Sequence, residues 1–268
     1  MNALRVWVEG VGLWSPQLAD FAALGSVLDG HTPAPPPARP AAAMLSPNER
    51  RRAPQSVLLA VEAGGQAVAM SGREAATLAC VFSSSHGDQP ITDYMCATLA
   101  QVPAELSPIR FHNSVHNAAV GYWTMASGCH APSTALAAQR ASFGAGLLEA
   151  VSQVLAERRA VLLVCSDTEG SGPLRDVTGC AQAFGCALVL APAASASSIA
   201  SLELQLRGGQ AETALPEPLA GWRRDNPSAT GLALLALLSR GTGECGLAVS
   251  TTLGLRVEVQ PVEKEQAA

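Results

Sequence analysis

The chain has 268 residues, of which 48% are hydrophobic and 15% charged, and its formal net charge is −5. These values exclude a disordered chain and leave length for one large α/β domain or two small ones. The acidic balance gives no electrostatic reason for a nucleic-acid partner, and no apolar run reaches the ~18 residues of a membrane span.

Residues 1–10 carry Arg5 and Glu9 within an apolar stretch and lack a signal-peptide layout, so the expected location is the cytoplasm. Residues 4–8 alternate and predict a strand that leaves through Gly10-Val11-Gly12 and Trp14-Ser15-Pro16 as a turn. Residues 17–29 predict a helix and 31–40 a proline-rich loop. Ser46-Pro47-Asn48-Glu49 has capping-box spacing and opens a basic helical turn through Arg50, Arg51 and Arg52. Residues 55–70 predict a further helix, weakened by Gly64-Gly65. A buried strand follows at 77–83, then helices at 89–101 and 115–126 and a short small-residue strand at 133–137.

Phe143, Leu147, Val151, Val154 and Leu155 recur at helical spacing, and that helix ends near Glu157-Arg158-Arg159. Residues 161–165 and 186–190 are continuous apolar strands. Such strands between helices imply a mainly parallel or mixed sheet covered on both faces. Residues 207–228 read as loop and 231–238 as a helix. Residues 246–250 and 255–259 read as a terminal hairpin, and 263–268 as a frayed end. Seven scattered cysteines, none in a CxxC pair, read as reduced and mostly buried thiols.

Three polar constellations stand out. In Phe111-His112-Asn113-Ser114-Val115-His116-Asn117 the two histidines sit at i, i+4. One helix face could present both to a metal, although no third ligand is evident. The plainer alternative is a helix entry whose polar side chains satisfy the backbone. Ser83-Ser84-Ser85-His86-Gly87-Asp88 sets Ser, His and Asp side by side after a strand. Triad members meet in space rather than by adjacency, so this reads as a strand-end loop. No glycine-rich phosphate motif is present, and no cofactor or metal is expected. The third constellation lies around Pro132 to Gly146.

There the residues resemble a known family. Asn117-Ala118-Ala119-Val120-Gly121-Tyr122-Trp123-Thr124-Met125 followed by Ala131-Pro132 is similar to the β-ketoacyl synthase pattern ahead of its nucleophile. The opening from Arg5 to Pro16 resembles that family's first strand and Gly-x-Gly exit. Val161-Leu162-Leu163-Val164 with Asp167 and Glu169 resembles the strand after the nucleophile helix. Ala183-Phe184-Gly185-Cys186-Ala187-Leu188-Val189-Leu190 is similar to a later strand. The resemblance covers 1–192 and implies a thiolase-like α/β fold, a mixed sheet sandwiched by helices, with a truncated second half. It divides the chain into a ketosynthase-like domain, 1–192, and a vestigial part, 193–268, packing on it.

In the family a cysteine opens a helix after the Pro, where the helix dipole and backbone N–H groups support its thiolate. That spacing lands here on Arg140, with Gln139 just before it. Neither is an acyl-accepting nucleophile. No histidine follows His130, and the family's H-G-T-x-T and N-x-F-G-x-G-G motifs are missing.

The resemblance therefore implies a chain length factor, a non-catalytic partner that pairs with an active, cysteine-bearing ketosynthase and shapes its acyl tunnel. Acyl carrier protein is the further partner, met through that complex. The short form, the FHNSVHN segment and Gly146-Leu147-Leu148-Glu149-Ala150 are similar to factors of aryl polyene and xanthomonadin-type pigment synthesis. Phe111, His116, Asn117, Tyr122, Trp123 and Met125 are the implied tunnel or interface residues. Tyr122 and Trp123 read alternatively as core anchors. The competing function is a stand-alone malonyl-thioester decarboxylase or other acyl-thioester enzyme.

Overall fold

The computed structural model describes residues 3–209 and 212–262; the expected frayed end, 263–268, lies outside them. In chain order the elements are β1 (Leu4–Trp14), α1 (Phe21–Leu28), α2 (Pro47–Arg52), α3 (Gln55–Ser71), β2 (Ala79–Ser83), α4 (Gln89–Gln101), α5 (Pro108–His112) and α6 (Ala118–Ser127). Then come β3 (Ser133–Leu136), α7 (Ser142–Glu157), β4 (Val161–Asp167), α8 (Gly172–Thr178), β5 (Phe184–Ala191) and β6 (Ala200–Gly208). The chain closes with α9 (Leu219–Asp225), α10 (Leu232–Arg240), β7 (Gly243–Ala248) and β8 (Leu253–Pro261).

All eight strands join one mixed sheet in the order β3-β2-β4-β5-β1-β6-β8-β7. β2 pairs parallel with β3 and β4, and every other neighbouring pair is antiparallel. Successive residues of β2, β4 and β5 enter opposite cores. Val161, Leu163 and Cys165 face the α7 and α10 side, whereas Leu162 and Val164 face α3 and α6. A strand buried on both faces needs apolar residues at every position, which is why these segments read as unbroken runs.

β1 departs from expectation. Gly10 and Gly12 do not end the strand; they lie inside it, against α3. A Cβ on Gly10 would stand 2.0 Å from the Ala67 carbonyl oxygen, and one on Gly12 would stand 1.9 Å from that of Ala63. The glycines serve close backbone approach rather than a turn. A register shift between Val8 and Gly10 leaves Glu9 at a bulge. Val6 and Val8 before it, and Val11 and Leu13 after it, all reach the α7 side.

The glycine pair in α3 does not weaken that helix visibly. Gly64 makes room for the Trp123 ring, whose Cζ3 would lie 3.1 Å from an added Cβ. α2 carries the expected capping box between Ser46 and Glu49. The terminal hairpin forms as β7 and β8. Four elements, α5, α8, β6 and α9, lie where the sequence reading has loop or nothing. β6 alternates Leu202, Leu204 and Leu206 with Ser201, Glu203 and Gln205, and α9 occupies part of 207–228. Among the described residues no helix is long and apolar enough to cross a membrane.

Candidate functional site

β3 runs along the sheet edge and hands the chain to α7 through a tight turn. Gln139 occupies that turn with φ +50°, a left-handed conformation uncommon for a residue with a Cβ. The turn is held by hydroxyls. Ser85 Oγ and Ser142 Oγ each lie 2.6 Å from the Gln139 carbonyl oxygen, and the Ala138 amide donates to Ser142 Oγ at 2.9 Å. Ser83 Oγ donates to the Ser142 carbonyl at 2.7 Å. Arg140 is exposed and its guanidinium donates to the Arg223 carbonyl in α9 at 2.8 Å.

Behind the turn lies Asp167, at the end of β4 and 1% exposed. One of its oxygens accepts from Ser84 Oγ and from the amides of Ser85 and His86, and the other accepts from Ser228 Oγ at 2.6 Å. Burial pushes this carboxyl above its ordinary range, against hydrogen bonds from Ser228, Ser84 and His86 that pull it down. The Ser-His-Asp run after β2 is thus a strand-end loop wrapped on Asp167, not a triad. Asp88 caps α4.

No cysteine stands at the turn. Cys96 is exposed on α4, and the other six are buried. Burial, with the neighbouring Cys129 thiol, pushes Cys80 up to about 12, and burial lifts Cys165 well above the usual thiol range. Thiols so placed are poor nucleophiles.

The second candidate surface is formed by α5, α6 and the segment between them. Phe111, Val115, Tyr122 and Met125 line a groove with a cavity volume of about 480 Å³. Phe111 and Met125 are 57% and 67% exposed. Of the eight exposed large hydrophobics among the described residues, six fall between Leu99 and Met125. Tyr122 is half-buried and donates to Asn113 Oδ1 at 3.3 Å. Asn117 is the residue before α6 and borders the groove.

Trp123 is different. Its side chain is fully buried, with its ring centroid 6.2 Å from that of Phe82. It therefore contributes to the groove only from behind, as part of the core that supports α6.

The histidines do not share a helix face as the i, i+4 spacing allowed. His112 ends α5 and His116 precedes α6, because residues 113–117 form turns rather than helix. His116 Nε2 lies 2.9 Å from the Ser84 carbonyl oxygen. Among the described residues no group of three or more His, Cys, Asp or Glu could hold a metal ion. The sequence reading did not single out Ser142, which has no motif, or Tyr94 and Arg110, whose contact spans two helices.

A sequence model of the β-ketoacyl synthase N-terminal domain matches residues 29–252. The chain belongs to the β-ketoacyl synthase family. Its fold is thiolase-like, as in the solved ketosynthases that resemble it. One is a ketosynthase (ApeO) in complex with its chain length factor (ApeC) from Xenorhabdus doucetiae, at 23% identity and TM-score 0.71, covering 95% of this chain and 99% of that one. A second is the ishigamide ketosynthase/chain length factor, at 16% identity and TM-score 0.72, covering 97% and 99%. A third is a type II acyl-carrier protein in complex with its ketosynthase (AntDE:AntF), at 12% identity and TM-score 0.74, covering 98% and 100%. No curated protein matches the chain.

Proposed function

We propose that this β-ketoacyl synthase-like chain is the non-catalytic, chain-length-factor type of subunit, which pairs with an active ketosynthase. The observation that carries this reading is the turn at Gln139. The family resemblance calls for a cysteine at this strand-to-helix turn, and here the left-handed residue is a glutamine followed by an arginine. An amide or a guanidinium cannot accept an acyl group as a thiolate does.

The surface supports a partner. The edge strand β3 lies free for pairing, and an uncovered sheet edge is an aggregation hazard unless something meets it. Phe111, Val115 and Met125, exposed and lining one groove, add an apolar surface of the kind that marks interfaces. In this reading β3 joins the ketosynthase edge to edge, and Phe111, Tyr122 and Met125 approach the end of its acyl tunnel with His116 and Asn117 at the margin. Residues 193–268 serve as a reduced second half that braces the first. The pathway is aryl polyene or xanthomonadin-type synthesis, with acyl carrier protein engaged through the complex.

Co-expression with a cysteine-bearing ketosynthase, followed by light scattering, tests the assignment. A stable heterodimer is expected, with an interface above about 2,000 Å². A soluble monomer that ignores its ketosynthase would overturn it.

A further inference from the structure

We propose that Tyr94 and Arg110 form a clasp that holds residues 102–117 in docking shape before the ketosynthase arrives, an inference that rests on the partner assignment above. Every residue from 99 to 105 is exposed, and so is every residue from 108 to 112. A stretch this poorly covered has few apolar contacts of its own to fix its conformation. It is nonetheless well formed, with a 3-10 turn at Pro103–Glu105 and then α5.

The ties return to one side chain. The Tyr94 hydroxyl, projecting from α4, accepts from the Ser107 amide at 3.2 Å and donates to the Glu105 carbonyl at 3.4 Å. The Arg110 guanidinium lies 3.9 Å from the centroid of the same ring. Ser107 in turn caps α5 by accepting from the Arg110 amide. One ring thus grips the segment at Glu105, Ser107 and Arg110. At its far end Asn113 is buried and bonded to Tyr122. Between these anchors Ile109 and Phe111 stand 66% and 57% exposed.

Among the described residues no carboxylate lies within ion-pair distance of Arg110, and its guanidinium rests on the Tyr94 ring. A segment held open in the bound shape spares the ordering cost that a loose loop meets on association. Releasing the clasp therefore weakens association by up to the clasp's own free energy.

The test uses the full chain and its ketosynthase. Affinity, hydrogen exchange of residues 102–117 and melting temperature are measured for wild type, Tyr94→Phe, Tyr94→Leu, Arg110→Gln and Arg110→Lys. Tyr94→Leu and Arg110→Gln should bind about 2- to 5-fold more weakly, the range that cation–π contacts span at exposed sites. Faster exchange should be confined to 102–117, with the melting temperature unchanged. Arg110→Lys should recover most of the affinity, and Tyr94→Phe should fall between. Equal affinity and exchange in Tyr94→Leu would overturn the clasp alone, as would a weakening that tracks a chain-wide loss of stability. A wild-type chain that binds no ketosynthase would instead remove the partner assignment, and the docking role of the clasp with it.

Discussion

Ser85 Oγ lies 2.6 Å from the carbonyl oxygen of Gln139, so the loop after β2 holds the left-handed turn that opens α7. Ser85 is itself fixed by the hydrogen bond that its backbone amide donates to Asp167 Oδ1 at 2.8 Å. Ser85→Ala should cost about 1 kcal/mol, the net worth of a neutral hydrogen bond. Urea denaturation checks this, and the loss should be smaller than for a core truncation.

Restoring a thiol should not restore a synthase. Gln139→Cys or Arg140→Cys places sulfur at the turn, but the chain has no histidine beyond His130 to promote decarboxylation. Incubation with malonyl- and acyl-carrier protein, read by mass spectrometry, should give no condensation product. Wild type should release no carbon dioxide from the malonyl thioester. Either product would favour an enzyme acting alone.

Charging the exposed groove should separate assembly from folding. Phe111→Asp and Met125→Asp alter side chains that are more than half exposed. Surface changes of this kind usually shift stability within about 0.5 kcal/mol. The melting temperature should hold while ketosynthase binding falls at least tenfold.

The two neighbouring rings of α6 should behave oppositely. Trp123→Ala empties a core site and should cost about 3–5 kcal/mol in stability. Tyr122→Ala should leave the fold intact and, in an assembled complex, move products toward longer chains. Chromatography of the products from the complex is the readout, and unchanged length would return Tyr122 to a supporting role.

Two buried carboxylates should pull the pH profile in opposite directions. Burial raises Glu9, but the Arg73 hydrogen bonds, Ser195 and the Arg73 charge outweigh it and hold the carboxyl below its ordinary range. Its contribution is present above that range and is lost as pH falls through the depressed value. Asp167 is raised, so its contribution is present below the ordinary aspartate value and lost as pH rises through the raised one. Denaturation midpoints across pH should show Glu9→Gln flattening the acid limb and Asp167→Asn flattening the fall above it.

Much of the architecture was legible because burial writes itself into residue order. β4 and β5 announce two-sided cover by unbroken apolar runs, and Ser46 with Glu49 announces a helix start. Gly10 and Gly12 misread as a turn because the reason for them, the carbonyls of Ala63 and Ala67, lies in another helix. β6 was available in the alternation of its leucines. At the site, the missing cysteine was visible, whereas the hydroxyl frame of Ser85 and Ser142 was not. Those contacts join residues 57 apart in sequence, and no local pattern encodes them.

The bulge at Glu9 acts as a phase shift in β1. Before it the even-numbered residues Val6 and Val8 face the α7 side, and after it the odd-numbered Val11 and Leu13 do. Removing one residue there would swap the faces of everything beyond. Val11 or Leu13 would then meet α3 where its carbonyls leave no space for a Cβ. The strand can therefore seat against α3 in only one frame. A slipped pairing with β5 is excluded by collision, not merely disfavoured by lost burial, and single-residue deletions between Val6 and Leu13 should be among the least tolerated changes in the chain.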